Sequence, residues 1–128
     1  MAALSNYLEN ALLNHILRGQ PYSAPDAVYI ALYVSDPTDE DTGTEVSGGG
    51  YVRQKVTFST PTDGRVTNVS DIIFPVATSD WGTITHVGIR DAATGGNLLF
   101  HAPLQVEKTI QSGDQFVIRA GSLQVTID

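Results

Sequence analysis

The chain has 128 residues, a formal net charge of −7 from 14 acidic against 7 basic side chains, and no cysteine. That length suits one domain with its own core, and the missing cysteines exclude disulfides, thiolate metal sites and thiol nucleophiles. So few cations form no basic stripe, so neither nucleic acid nor an anionic membrane surface is an expected partner.

In the first segment Leu4, Leu8, Leu12 and Ile16 recur every four residues, with Tyr7, Ala11 and Leu13 beside them. The spacing predicts a helix over about residues 4–18 with one apolar stripe. Ser5 is placed to cap its start, Gly19 to end it in the left-handed conformation, and Pro21 to bar continuation. The stripe has two available uses, packing on a sheet or docking on a neighbouring subunit. Glu9, Asn10, Asn14 and His15 interrupt the apolar run and no basic leader precedes it, so it does not read as a signal peptide. No apolar run approaches the ~20 residues of a membrane span.

Past Pro25 the period changes to two. Val28, Ile30, Leu32 and Val34 fall on one face and Tyr29, Ala31 and Tyr33 on the other. Two apolar faces predict a central strand covered on both sides, with the helix as the natural cover for one. Val52, Val56 and Phe58 then alternate with Tyr51, Arg53, Lys55 and Thr57, as in a strand with one wet face. The loop between carries Asp36, Asp39, Glu40, Asp41 and Glu45. Their spacing does not follow the calcium-loop pattern, so a solvated loop is expected. Gly48, Gly49 and Gly50 lead into Tyr51 and a strand rather than into Lys and a helix. That excludes a phosphate loop and points to a flexible hinge.

Further strands are expected within 66–74, over 83–90, from 98–102 through Pro103 into 104–110, at 116–119 and at 123–127, with turn-rich segments between. About eight short strands and one helix predict a mainly β single domain over residues 1–128. The expected form is an antiparallel β-sandwich of jelly-roll type over about residues 27–128, behind the N-terminal helix.

The chemistry-bearing residues are sparse. His15, His86 and His101 share no close spacing, and each is expected to be structural. Asp80 is available to pair with His86, but neither a nucleophile nor oxyanion donors accompany that couple. No serine sits in a G-x-S-x-G elbow. No catalytic, cofactor or metal site is assigned, and the chain is expected not to be an enzyme. Trp81, between Asp80 and Gly82, suits either the edge of a core or an interface.

The stretches GTEVSGGGYVRQ and HVGIRDAATGGNLL are the most specific part of a resemblance that also covers LSNYLENALLNHIL, VYIALYVSDPT and SGDQFVIRAGSLQVTID. Together they resemble a phage and prophage family of small virion structural proteins, labelled as tail-fibre or minor structural proteins and sometimes found as capsid cement. The resemblance implies a β-sandwich subunit present in many copies, as a trimer or other symmetric oligomer, localised to the virion and bound to other virion proteins. It carries no catalytic residue. Small size and the lack of a fibrous repeat favour a capsid cement, or decoration, protein bridging shell subunits, with the major capsid protein as partner. A tail-fibre or baseplate role in host adsorption is the alternative, and a carbohydrate-binding module a third reading. The expected contact surface combines helix and loop: Leu4, Tyr7, Leu8, Asp39, Glu40, Asp41, Glu45, Tyr51 and Trp81. On this reading, removing Asp39–Gly48 leaves the fold intact.

Overall fold

The caps named by the sequence set the limits of the one helix. In the computed structural model, which describes residues 2–127, strand β1 (Ala3–Leu4) leads into helix α1 (Asn6–Arg18). The Ser5 hydroxyl accepts the Leu8 N–H at 3.1 Å, and Gly19 closes the helix at φ 67° with its N–H returned to Asn14 O. Eight strands follow: β2 (Val28–Tyr33), β3 (Gln54–Val56), β4 (Arg65–Thr67), β5 (Ile72–Ile73), β6 (Gly82–Arg90), β7 (Leu98–Ile110), β8 (Val117–Ile118) and β9 (Gln124–Thr126).

Five strands make one antiparallel sheet in the order β1-β7-β6-β2-β3, while β4–β9 and β5–β8 form two separate two-stranded ribbons. The registers Ile30↔Ile89, Leu32↔Val87, Ile89↔Phe100 and Val87↔Ala102 put these residues on one face of the sheet. That face meets the ribbons, so Ile30, Leu32, Val87 and Ile89 share a core with Ile72, Phe74, Phe116 and Val125. Each such side chain contributes roughly 1.5–3 kcal/mol by leaving water. The result is a β-sandwich-like domain with an N-terminal helix. Its layers are one five-stranded sheet and a pair of ribbons, not the two Greek-key sheets expected of a jelly roll.

The expectation of two covered faces on β2 holds, and helix residue Leu8 joins the cluster on the Ile30–Leu32 face. Ala31 and Tyr33 form a second, smaller apolar cluster with Leu98 on the opposite face. The helix does not cover it. The Ser5 N–H donates to Leu99 O and its hydroxyl to Leu98 O, which fixes α1 along β7 instead. Alternation in β2 shows that a cover is needed and not which segment supplies it. As expected, β7 runs on through Pro103. Beyond Phe100 and His101, among the described residues, no strand pairs with the outer edge of β7, so a residue without an N–H is tolerated there. Opposite it the ladder to β6 is irregular, between Ile84 and His86.

Candidate functional site

The second face of the sheet is roofed by the acidic loop, and the roof is held by charge. Tyr33↔His86, Ala31↔Gly88 and Gly88↔His101 are register partners, so Tyr33, His86 and His101 share this face. Arg90 joins them at the end of β6. Its guanidinium donates to both Asp41 oxygens, at 2.8 and 2.9 Å, to Tyr33 Oη at 3.0 Å and to Gly96 O at 2.9 Å. Burial works against the Arg90 charge, and the bonds to Asp41 and Tyr33 outweigh it, so the cation is held more firmly than usual. Burial likewise pushes the Tyr33 phenol above its ordinary value of 10.0.

Asp39 and Asp36 complete the roof. His101 Nε2 donates to Asp39 Oδ1 at 2.7 Å, while Asp36 Oδ1 lies 4.0 Å from His101 Nδ1 and 3.8 Å from His86 Nε2. The Asp39 carbonyl accepts the Asn6 N–H at 2.8 Å, so the loop also fastens the first residue of α1. Thr38 and Asp41 sit at φ 58° and 59°. That conformation costs a non-glycine residue roughly 1–2 kcal/mol, offset here by the ion pairs and by the Asp36 carboxylate accepting the Thr38 N–H at 2.9 Å. The loop is solvated as expected, but its exposed Asp39 and Asp41 are also paired with the sheet. Asp80 and His86 do not pair: Asp80 accepts the Ser112 N–H, and His86 faces Asp36 and Thr85. Among the described residues no three His, Asp or Glu side chains converge as metal ligands.

The return limb of the loop is built into β2. Val34 N donates to Thr44 O and Val46 N to Leu32 O, and Val46 itself is buried. Glu45 receives Arg53 in a two-pronged pair at 2.8 Å on each oxygen, and also Tyr51 Oη at 2.6 Å. Burial alone raises the Glu45 pKa, yet the bonds from Arg53 and Tyr51 prevail and hold it below its ordinary 4.5. Burial, followed by the bond to Glu45, drives the Tyr51 phenol far up. Arg53 further clamps the carbonyls of Ala92 and Gly95 at 2.9 Å each.

The three glycines are an anchor rather than a hinge. Gly49 O accepts the Trp81 indole N–H and the Thr78 N–H, both at 2.9 Å. Gly49 has φ +61°, and a Cβ there would meet Ser79 Oγ at 2.6 Å and the Trp81 ring at 2.8 Å. Only glycine permits this approach. Trp81 then packs edge-on to Tyr51, whose ring stacks on Phe74.

These contacts sort the nine surface residues expected from the sequence. Leu8 and Trp81 are buried and cannot present themselves to a partner in this conformation, and Leu4 is half-buried against the core. Tyr51 and Glu45 are tied to each other and to Arg53. Tyr7, Asp39, Glu40 and Asp41 remain exposed, with Asp39 and Asp41 already paired. Sequence reasoning missed Arg53, Arg90, His86 and His101 as partners of the loop. It also missed that Leu13, Ile16 and Leu17 form an exposed apolar face on α1. Arginine inside an otherwise apolar strand was the available signal, since a buried cation needs a carboxylate.

The chain is a sandwich-like β domain with a helix at its head, and Asp39, Asp41 and Glu45 of its loop are paired with His101, Arg90 and Arg53. The family model described as podophage GP4 fiber I protein gp80 matches residues 3–126, and the chain belongs to that family. No curated protein matches it. Membership makes the chain a structural component of a phage virion, with other virion proteins as its partners. A fibre family fits the tail-fibre reading better than the capsid cement favoured on grounds of size. Among the described residues no helix is long and apolar enough to cross a membrane.

Proposed function

We propose that the chain is a fibre subunit of the tail apparatus of a podophage-type virion, acting through surface contacts and without catalysis or a cofactor. The family match over residues 3–126 carries this reading, because it takes in the helix, the roofed loop and both layers of the sandwich. The geometry supports it through the loop. Asp39, Asp41 and Glu45 are paired with His101, Arg90 and Arg53, so their role is to stiffen the domain. A stiff domain loses little entropy when it binds, and repeated attachment makes each further contact effectively intramolecular. The major capsid protein is then not the principal partner; proteins of the tail are. High-resolution imaging of the intact particle tests the reading. Density for this chain on the tail is the expected result, and density bridging shell subunits would restore the cement role.

A further inference from the structure

Two apolar surfaces have no partner among the described residues, and they differ in shape and charge. The first is convex. Glu9, Leu13, Ile16 and Leu17 recur at i, i+4, i+7 and i+8 on α1, one face of a helix. The inward face is carried by Leu8 and Leu12, which, with Leu4 of β1, pack on the core. On the outer face Leu13, Ile16 and Leu17 remain 55%, 71% and 74% exposed. An aliphatic cluster of this kind marks a contact surface.

The second is concave. Between the far half of β7 and the β8–β9 side of the ribbons lies a groove of about 790 Å³, whose apolar lining includes Val87, Ala102, Leu104, Phe116 and Leu123. It is the open mouth of the sandwich. Val106 continues the inward register of Ala102 and Leu104 but is 65% exposed, since no element of the chain reaches it. The groove lining includes Lys108 and Arg119 and no carboxylate, in a chain with twice as many acidic as basic residues. Arg119 is partly engaged by Asp71 at 3.2 Å, whereas Lys108 has no ion-pair partner among the described residues.

The geometry points to a head-to-tail contact between copies of this chain, in which the outer stripe of α1 on one copy seats in the β7–β9 groove of the next. Charge selects the occupant. A molecule of net charge −7 resists its own copies except where unlike charges meet. The basic groove supplies one side of such a meeting, and Glu9, one turn before Leu13 on the same stripe, supplies the other. Helix-on-helix pairing would leave the groove open and bring two Glu9 carboxylates onto one apolar seam. Because convex and concave surfaces differ, the contact is heterologous and generates a closed ring or an open filament. It does not depend on where on the virion the chain sits, so the test uses the isolated protein.

Sedimentation equilibrium across a concentration series is the experiment, with Ile16→Ser plus Leu17→Ser on the helix and Val106→Asp in the groove. All three positions are exposed, so the fold is expected to persist, and circular dichroism checks it. Wild type should self-associate, and each variant should weaken association roughly 30-fold or more, as loss of a central contact does. Lys108→Glu should weaken it as well, and adding Glu9→Lys to that variant should restore much of the loss. A wild type that stays monomeric overturns the inference. So does an oligomer that responds to only one of the two surfaces, or a charge swap that restores nothing.

Discussion

The Arg90 guanidinium is buried at the end of β6, yet each of its three nitrogens has an acceptor among Tyr33, Asp41, Gly95 and Gly96. One side chain thus joins β2, the acidic loop and the β6–β7 turn. Arg90→Ala removes the cation but leaves the turn carbonyls and Tyr33 Oη with a donor missing. The expected loss is about 2–3 kcal/mol, below that of a fully buried pair because Asp41 stays partly in water. Urea denaturation of the variant beside wild type measures it. Arg90→Lys should recover less than half, since an ammonium cannot fork to a carboxylate and still reach the carbonyls. These pairings were only half legible in the sequence. The carboxylates stood out as a cluster, but Arg53 and Arg90 lie 8 and 49 residues from Glu45 and Asp41. Nothing in local spacing announces a partner 49 positions away.

At the level of elements, legibility followed the range of the interaction. Helix α1 was readable to within two residues because its caps, Ser5 and Gly19, act on adjacent peptide groups. The two-faced character of β2 was readable because alternation is local. Its cover was not, since the 35–45 segment has no periodicity and shows only as polar. The stripe of α1 was read as Leu4, Leu8, Leu12 and Ile16, but Ile16 lies on the outer face beside Leu13 and Leu17. Steps of four drift around a helix of 3.6 residues per turn, and three such steps pass from one face toward another. The loop carries a clear expectation. Removing Asp39–Gly48 deletes buried Val46, the backbone bonds to Leu32 and Val34, both arginine partners and the tie to Asn6. Val46 alone is worth about 1.5–3 kcal/mol. The whole deletion should cost about 5 kcal/mol or more, close to the entire stability of a small domain. Thermal melting should show a lost or strongly lowered transition, and an unchanged melt would mean that the roof is ornamental.

For the whole molecule the same contacts set a response to pH. Glu45 is held below its ordinary 4.5 in the folded chain, so it binds fewer protons there than in the unfolded one. Its contribution is present in full above pH 4.5 and is lost as pH falls through the folded value. Asp71 works in the same direction, mainly through the Ala120 N–H. Tyr51 and Tyr33 act at the other end: their stabilisation is complete below 10.0 and declines as pH rises through the higher folded values. Stability against pH should therefore form a plateau with an acid and an alkaline shoulder. Glu45→Gln should flatten the acid shoulder and lower the plateau, read from urea midpoints at a series of pH values. An acid shoulder of unchanged slope would assign it to other carboxylates. The anchor beneath the loop offers one more consequence. Trp81 is the chain's only tryptophan, and its indole is bonded to Gly49 and set against the ring that Glu45 holds. Its emission colour is thus a built-in optical gauge of the loop, reading blue while the glycine lid is seated and shifting red when water reaches the indole, with no dye attached.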